Sequence, residues 1–109
     1  MKLEGIPFQS IDWSRIKPTS HPSEHGSVTV QVLEVGNVRI RKAEYSPGYV
    51  DANWCPRGHV VMVLEGEIVM ELSDGRRSTL GPGDTFVVDD NDGTHRSSSP
   101  GGARLFIVD

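Results

Sequence analysis

The stretch Asn53-Trp54-Cys55-Pro56-Arg57-Gly58-His59 runs on through an apolar segment at 60–64 to a glycine at position 66, and it combines a strong strand signal with several candidate metal ligands. Positions two apart on a strand point to the same side, so we expect Asn53 and Cys55 to face one point in space. His59 keeps that parity after the Pro-Arg-Gly turn, and His95 is a further candidate later in the chain. The spacing predicts a pocket lined by these four side chains.

Length and charge restrict the class of protein. The 109 residues, 11.9 kDa, fit one domain that buries roughly two thirds of its unfolded surface. A net charge of −4 without a basic run argues against a nucleic-acid partner. The longest apolar run, 60–64, is too short to cross a bilayer, and the first ten residues lack the apolar segment of a secretory signal, so we expect a cytoplasmic protein with no membrane partner.

Turn residues divide the chain into short segments. Twelve glycines and seven prolines separate stretches rich in Val, Ile, Thr and Phe, and counting these stretches gives eight or nine strands with no helix longer than a turn. We therefore predict an all-β, single-domain sandwich or barrel. Residues 1–27 are the least regular part and are expected to form an N-terminal arm followed by a polar loop at 19–27, whereas residues 28–109 form the barrel.

A hairpin is predicted from strands at 28–35 and 38–45, joined by the turn signal Gly36-Asn37. Its second strand raises a question of parity, since Arg39 and Arg41 share the side of Ala43 and Tyr45. The arginines lie on the outer face if a β-bulge near Arg41 shifts the register, and the rule that arginine is seldom buried unpaired favours this reading. Otherwise the interior accepts arginines because it binds an anionic ligand.

The segment that begins at His59 is apolar on both faces. Val61 and Val63 share the parity of His59, whereas Val60, Met62 and Leu64 point to the opposite side. A strand that is apolar on both sides is covered on both sides. In a protein of this size the outer cover is the N-terminal arm or a second subunit, and we expect a homodimer.

The spacing of the opening stretch resembles that of the cupin superfamily. Cupins carry a first motif G-x5-H-x-H-x3-E-x6-G, and this chain has Asn53-x-Cys55-x3-His59-x6-Gly66, with the same spacing but different ligands. The second cupin motif, G-x5-P-x-G-x2-H-x3-N, is matched in part by the turn Leu80-Gly81-Pro82-Gly83-Asp84 and by His95. The resemblance implies a double-stranded β-helix, or jelly-roll barrel, with an interior pocket.

A narrower resemblance extends over nearly the whole chain. The segments Glu44-Tyr45-Ser46-Pro47-Gly48-Tyr49, Trp54-Cys55, Gly58-His59, Leu64-Glu65-Gly66 and His95-Arg96-Ser97-Ser98 are similar to those of the small bacterial DHCW-motif cupins. That family is named for a motif and not for an activity, so the resemblance supplies no substrate. The motif has a histidine where this chain has Asn53, and an amide binds a borderline metal less well than imidazole does.

A thiolate from Cys55 and imidazoles from His59 and His95 suit zinc, iron, nickel or copper, whereas calcium and magnesium prefer oxygen ligands. Asn53 could add a carbonyl oxygen. Each residue taken singly also fits an ordinary structural role, so a site without metal is the alternative. A further alternative makes Cys55 a nucleophile beside a histidine, although the sequence offers no orienting carboxylate in a recognisable spacing.

The residues Arg39, Arg41 and Tyr45 are candidates for holding an anionic group in the pocket, because guanidinium pairs with carboxylates in a two-pronged geometry, while Arg57 is expected at the surface. Three functions follow. The pocket binds a small polar or anionic molecule, with or without a divalent transition metal; or it is a metal-dependent enzyme of oxygenase, lyase or isomerase type; or the protein is a structural dimer with a vestigial, metal-free site. The sequence does not decide whether it is an enzyme.

Overall fold

In a computed structural model, which describes residues 2–90 and 92–109, the chain forms ten strands and one turn of 3-10 helix at Trp13–Arg15. The strands are β1 (Thr19–Pro22), β2 (Ser27–Val35), β3 (Val38–Tyr45), β4 (Tyr49–Val50), β5 (His59–Gly66), β6 (Ile68–Leu72), β7 (Arg77–Leu80), β8 (Thr85–Val88), β9 (His95–Ser99) and β10 (Ala103–Val108). Among these residues no helix is long and apolar enough to cross a membrane.

Two antiparallel sheets face one another. The larger has the order β1-β2-β3-β10-β5-β8 and the smaller the order β4-β9-β6-β7. Strands distant in sequence lie side by side, as in the pairing of β10 with both β3 and β5. This arrangement of short strands confirms the predicted all-β jelly-roll barrel.

The hairpin of β2 and β3 is confirmed, but its predicted bulge is wrong. The register runs without a shift from the pair Val28–Tyr45 to the pair Val35–Val38, and β3 also pairs regularly with β10. The shift in this sheet falls instead between β10 and β5, at Arg104/Leu105. With no bulge in β3, the side of Arg39 and Arg41 is the side of the buried Ala43 and Tyr45, so both arginines point inward.

The core lies between the inner faces of the two sheets. Val61 and Val63 of β5 are almost fully buried, as their parity predicted, and Ile68 and Leu105 are among the most buried side chains. The cluster is completed by Ala43, Tyr45, Tyr49, Met70, Leu80, Ala103 and Ile107. These apolar side chains occupy one part of the interior, and the remainder is polar.

The N-terminal arm packs on the β2–β3 hairpin. Gln31 donates hydrogen bonds from Nε2 to the carbonyls of Trp13 and Ile16, both 2.8 Å long, and the ammonium of Lys42 lies 5.5 Å from the ring centre of Trp13. The polar loop predicted at 19–27 is wrong for its first part. Thr19–Pro22 pairs with β2 as an edge strand, although its side chains are exposed as expected of a polar segment.

The outer face of β5 is not covered by this arm, whose described contacts go to β2 and β3. Val60, Met62 and Leu64 each keep nearly two fifths of their surface exposed, and Val87, which pairs with Val60, is 76% exposed. Of the two covers that the sequence allowed, the N-terminal arm does not lie over this face within the described residues, and an apolar surface stays open on the single chain. A second subunit as the cover stays a prediction.

Candidate metal centre and pocket

Backbone pairing brings two of the predicted ligands together. The amide of Cys55 donates to the carbonyl of His95 (2.7 Å), and the amide of His95 donates back to the carbonyl of Cys55 (3.0 Å). Outside this isolated bridge, residues 51–58 form a loop and not the strand that the parity argument assumed. Cys55 therefore reaches the pocket because a distant strand holds its main chain, and not because of its spacing from Asn53.

The ligand atoms of Cys55, His59 and His95 all lie within 4.8 Å of one another. The Cys55 Sγ is 3.3 Å from Nε2 of His59, and the two imidazole rings meet edge to face with their centres 5.1 Å apart. Zinc, for example, takes thiolate sulfur at about 2.3 Å and imidazole nitrogen at about 2.0 Å, so the donor atoms around one ion lie a few ångströms from each other. This donor set fits a divalent transition metal.

Gly58 allows His59 to enter the barrel. A Cβ at this glycine would lie 2.8 Å from the carbonyl oxygen of Val88 and 2.9 Å from the amide nitrogen of Asp90, closer than side chains approach backbone. The Gly58 amide also donates to a carboxylate oxygen of Asp90, 2.6 Å away. The loop is thus held tightly against the end of β8, which fixes where β5 and its first side chain begin.

Both histidines favour the neutral form that binds metals. Burial lowers the pKa of His59, assisted by His95 and Arg41 and opposed by Asp109. Burial also lowers the pKa of His95, against the charge of Asp51. His95 is only 4% exposed, and neither of its ring nitrogens has a hydrogen-bond partner among the described residues. A buried imidazole with two unpaired nitrogens costs stability unless a ligand binds it.

Asn53 lies in the same loop and at the edge of the same cavity, but its side chain is exposed. It therefore lies outside the group that the half-buried Cys55 and His59 form with the buried His95. Its role as a fourth ligand stays a prediction.

One side of the pocket is a cationic wall formed by Arg39, Arg41 and Arg57, and the sequence predicted it only in part. Arg39 grips the Asp109 carboxylate with two hydrogen bonds, from Nε to Oδ1 (3.0 Å) and from an Nη to Oδ2 (2.8 Å). Arg41 and Arg57 approach the same Oδ2 at 3.4 and 3.7 Å, and Nδ1 of His59 lies 3.2 Å from it. That imidazole contact is close but lacks hydrogen-bond geometry. As predicted, Arg57 is largely exposed, although it also reaches the pocket.

Asp109 is ionised and fixed. Burial alone would raise the pKa of its carboxyl group, but the hydrogen bond from Arg39 and the charges of Arg41 and Arg39 outweigh burial, and the pKa lies below its ordinary value. The His59 imidazole thus lies between the Asp109 carboxylate, on its Nδ1 side, and the Cys55 thiol, on its Nε2 side. This order is that of a metal ligand oriented by a carboxylate, and also that of a thiol with a base and an orienting acid.

The opposite wall carries a closed hydrogen-bond network. The carboxylate of Asp51 accepts from the Tyr49 hydroxyl (2.8 Å) and from both the amide and the hydroxyl of Ser97 (2.7 and 2.9 Å). Because Ser97 donates to Asp51, its oxygen accepts from the buried Tyr45 hydroxyl, 3.0 Å away. Burial raises the pKa of both tyrosines, so the phenols stay protonated as donors.

Between these walls lies a cavity of about 560 Å³. It is bordered by every residue that the sequence singled out for the pocket: Arg39, Arg41, Tyr45, Asn53, Cys55, His59 and His95. Apolar side chains such as Val61, Phe86 and Leu105 line it further in. A cleft of this size with converging polar groups is typical of a site for a small molecule.

Sequence reasoning missed Asp109, Asp51 and Ser97, although a signal existed for two of them. Asp109 continues the inward parity of Ala103, Leu105 and Ile107, and Ser97 shares the parity of His95. A polar residue at an inward position of a strand is a candidate site residue. Asp51 lies in the irregular loop, where no periodicity marks it.

Comparison with known proteins identifies the architecture. No family model matches the sequence, and a search of curated proteins finds no significant match. Among solved structures, a cupin-2 domain protein from Rhodospirillum rubrum is 25% identical with a TM-score of 0.74, and the match covers 94% of this chain and 74% of that one.

Two further structures agree. The polyketide cyclase RemF from Streptomyces resistomycificus is 19% identical with a TM-score of 0.74, covering 94% of this chain and 78% of its own. A cupin superfamily protein from Desulfitobacterium hafniense is 18% identical with a TM-score of 0.66, covering 99% and 96%. These similarities, together with the two-sheet topology, identify the fold of this chain as the cupin jelly roll.

Proposed function

We propose that the protein binds a small anionic molecule in its interior cavity and that a divalent transition metal held by Cys55, His59 and His95 takes part in the binding. The observation that carries the proposal is the buried His95, both of whose ring nitrogens lack partners among the described residues. A metal bound to one of them would relieve the part of the cost that this nitrogen causes. Such an ion would act as a Lewis acid toward an oxygen-bearing ligand.

The competing thiol chemistry explains less of the site. A nucleophile activated by His59 and oriented by Asp109 uses Cys55 but leaves His95 without a part. The metal site uses all three side chains and gives Asp109 the role of orienting the His59 ring from its other nitrogen. The donor chemistry of the whole group therefore supports the metal.

A metal-dependent enzyme of oxygenase, lyase or isomerase type is the second candidate. Three protein ligands beside an open cavity are typical of catalytic metal sites, where the remaining position takes substrate or water. A vestigial, metal-free site is the third candidate. The metal analysis described next distinguishes it from the other two.

Metal content tests the proposal. Protein prepared without a histidine tag should hold zinc, iron, nickel or copper near one equivalent by elemental analysis, whereas Cys55→Ala and His95→Ala should fall to trace levels. We expect the affinity loss to exceed about 100-fold, because residues that only orient a ligand already contribute about 10- to 100-fold. Ser98→Ala, from the same strand as His95 but on its opposite face, is the control and should keep its metal. Equal trace metal in all four proteins would defeat the proposal.

We propose further that the protein is a homodimer in which a second copy covers the outer face of β5. Val60, Met62, Leu64 and Val87 form an open apolar surface, and the arm exposes the whole of Phe8. Light scattering should give twice the chain mass for the wild type and the chain mass for Met62→Glu. Thr79→Glu, exposed on the other sheet, should stay dimeric. A wild-type monomer at high concentration would contradict the dimer.

Three narrower expectations stay predictions. These are the relation to the DHCW-motif cupins, a cytoplasmic location, and the absence of nucleic-acid and membrane partners. Each depends on sequence pattern and composition, and none is needed for the pocket.

A further inference from the structure

The positive charge around Asp109 exceeds what that carboxylate can neutralise. Three guanidinium groups lie within 4 Å of one oxygen, at 2.8, 3.4 and 3.7 Å for Arg39, Arg41 and Arg57. Three cations against one anion leave a formal excess of two positive charges. Glu34, the exposed cross-strand partner of Arg39, offsets part of the charge of Arg39.

Of the three arginines, Arg41 is the one whose guanidinium is buried with incomplete hydrogen bonding. Its side chain is only 20% exposed, and its Nε is buried without a hydrogen-bond partner in the described part of the chain. Its contact with Asp109 is a single long one, 3.4 Å, because Arg39 already occupies the carboxylate in the two-pronged geometry. A buried guanidinium that is incompletely paired is costly, and an arriving anion would offset that cost.

The arginines border open space into which an anion could fit. Arg41 and Arg57 line the 560 Å³ cavity beside Cys55 and His95. Arg39 and Arg57 also line a second cavity of about 710 Å³, which Asp109 borders. These two arginines therefore face both cavities, whereas Arg41 faces only the first.

We propose that Arg41 and Arg57, supported by Arg39, form a subsite for a small dianion of carboxylate or phosphate chemistry, with Asp109 as its internal counter-ion. The proposal rests on the proposed function, since it specifies the anion that the pocket binds. Guanidinium pairs with both classes of anion through two parallel hydrogen bonds, and Arg41 and Arg57, which make no two-pronged contact with Asp109, offer two positive charges to a doubly charged ligand.

Asp109 has a definite part in this arrangement. The Asp109 carboxylate accepts hydrogen bonds from Nε and from one Nη of Arg39. These bonds keep the arginine side chain in position when no anion is bound. The same charge opposes an incoming anion. Neutralising Asp109 should therefore tighten anion binding, whereas a carboxylate that merely built the site would weaken binding when removed.

Calorimetric titration of the full chain tests the subsite. The probes are malonate and inorganic phosphate as dianions at pH 8, acetate as a monoanion, and malonamide as the uncharged match of malonate. Each is titrated into chelator-treated protein and into the same protein with one equivalent of zinc. We expect at least one dianion to bind the metal-free protein, at least about tenfold more tightly than acetate, and malonamide not to bind.

Matched variants assign the binding to the arginines. Arg41→Gln and the more exposed Arg57→Gln should each weaken dianion binding by about tenfold or more, the size of a hydrogen bond to a charged group. Arg104→Gln, which removes an arginine from the outer face of β10, should bind as the wild type does. Asp109→Asn should tighten dianion binding about two- to fivefold, because the neutral amide no longer repels the anion but still accepts a hydrogen bond from Arg39.

The outcomes separate this inference from the metal proposal. Dianion binding only in the zinc-loaded protein, unchanged in Arg41→Gln and Arg57→Gln, would overturn the arginine subsite and leave the metal pocket standing. Equal binding of malonate and malonamide, or no binding of either dianion by a protein that still holds zinc, would also overturn it. Tight dianion binding by a protein that takes no zinc would uphold the subsite and defeat the metal.

Discussion

The two polar walls of the pocket differ in how completely their groups are paired. On one wall, Tyr49 and Ser97 from the smaller sheet donate to Asp51, and Tyr45 of β3 donates to Ser97, which closes the network. On the other wall, three guanidinium groups from β3 and from the loop at 51–58 face one carboxylate, and His95 on β9 has two ring nitrogens without a partner among the described residues. A closed network fixes structure, whereas unpaired buried groups are what a ligand completes.

This difference gives stability and binding to different residues. The Asp51 network should contribute to the free energy of unfolding and little to ligand affinity. The groups around His95 and Arg41 should contribute to ligand affinity and little to the free energy of unfolding. Substitutions on the two walls can therefore show whether the distinction holds.

The largest contrast is expected between Asp51→Asn and Arg41→Gln. Asparagine keeps one acceptor oxygen, loses the charge and turns an amide donor toward other donors, so the free energy of unfolding should fall by about 2 kcal/mol. Arg41→Gln removes an incompletely paired buried charge and should change the free energy by less than about 1 kcal/mol. Urea denaturation of the metal-free proteins measures both. An equal loss in the two variants would make the arginine wall structural as well.

A smaller effect is expected from Asn53→His, which adds an imidazole at the exposed edge of the cavity that holds Cys55, His59 and His95. Competition titration should show zinc bound more tightly, by no more than about tenfold, since the side chain starts outside the buried cluster. Ala52→His, the neighbouring position in the same loop, is the control for an extra histidine nearby. Equal tightening in both variants would show that position 53 has no special access to the site.

The sequence predicts the fold well because the strands keep a period of two. The hairpin at residues 28–45 and the apolar strand that begins at His59 both lie where that pattern places them. Cupin spacing then selects the jelly roll from other all-β folds. Local pattern and fold agree here because successive side chains of a strand point to opposite faces of the sheet, and burial of one face requires apolar residues at every second position.

The site was predicted less completely, for two physical reasons. Buried arginine runs against the general cost of burying charge, so the favoured reading placed Arg39 and Arg41 outside and needed a bulge that β3 does not have. The partner that makes their burial tolerable, Asp109, is 70 positions from Arg39, and no local pattern relates the two. Pairing between strands distant in sequence decided both points.

The mutual backbone hydrogen bonds of Cys55 and His95 have a consequence for how this centre can change. The main chain sets where both side chains begin, so their placement does not depend on sulfur or imidazole being there. Donor identity and donor position are therefore separate properties of the protein. The same frame can present a softer or harder set of atoms, and preference among metals can shift by single substitutions without rebuilding the barrel.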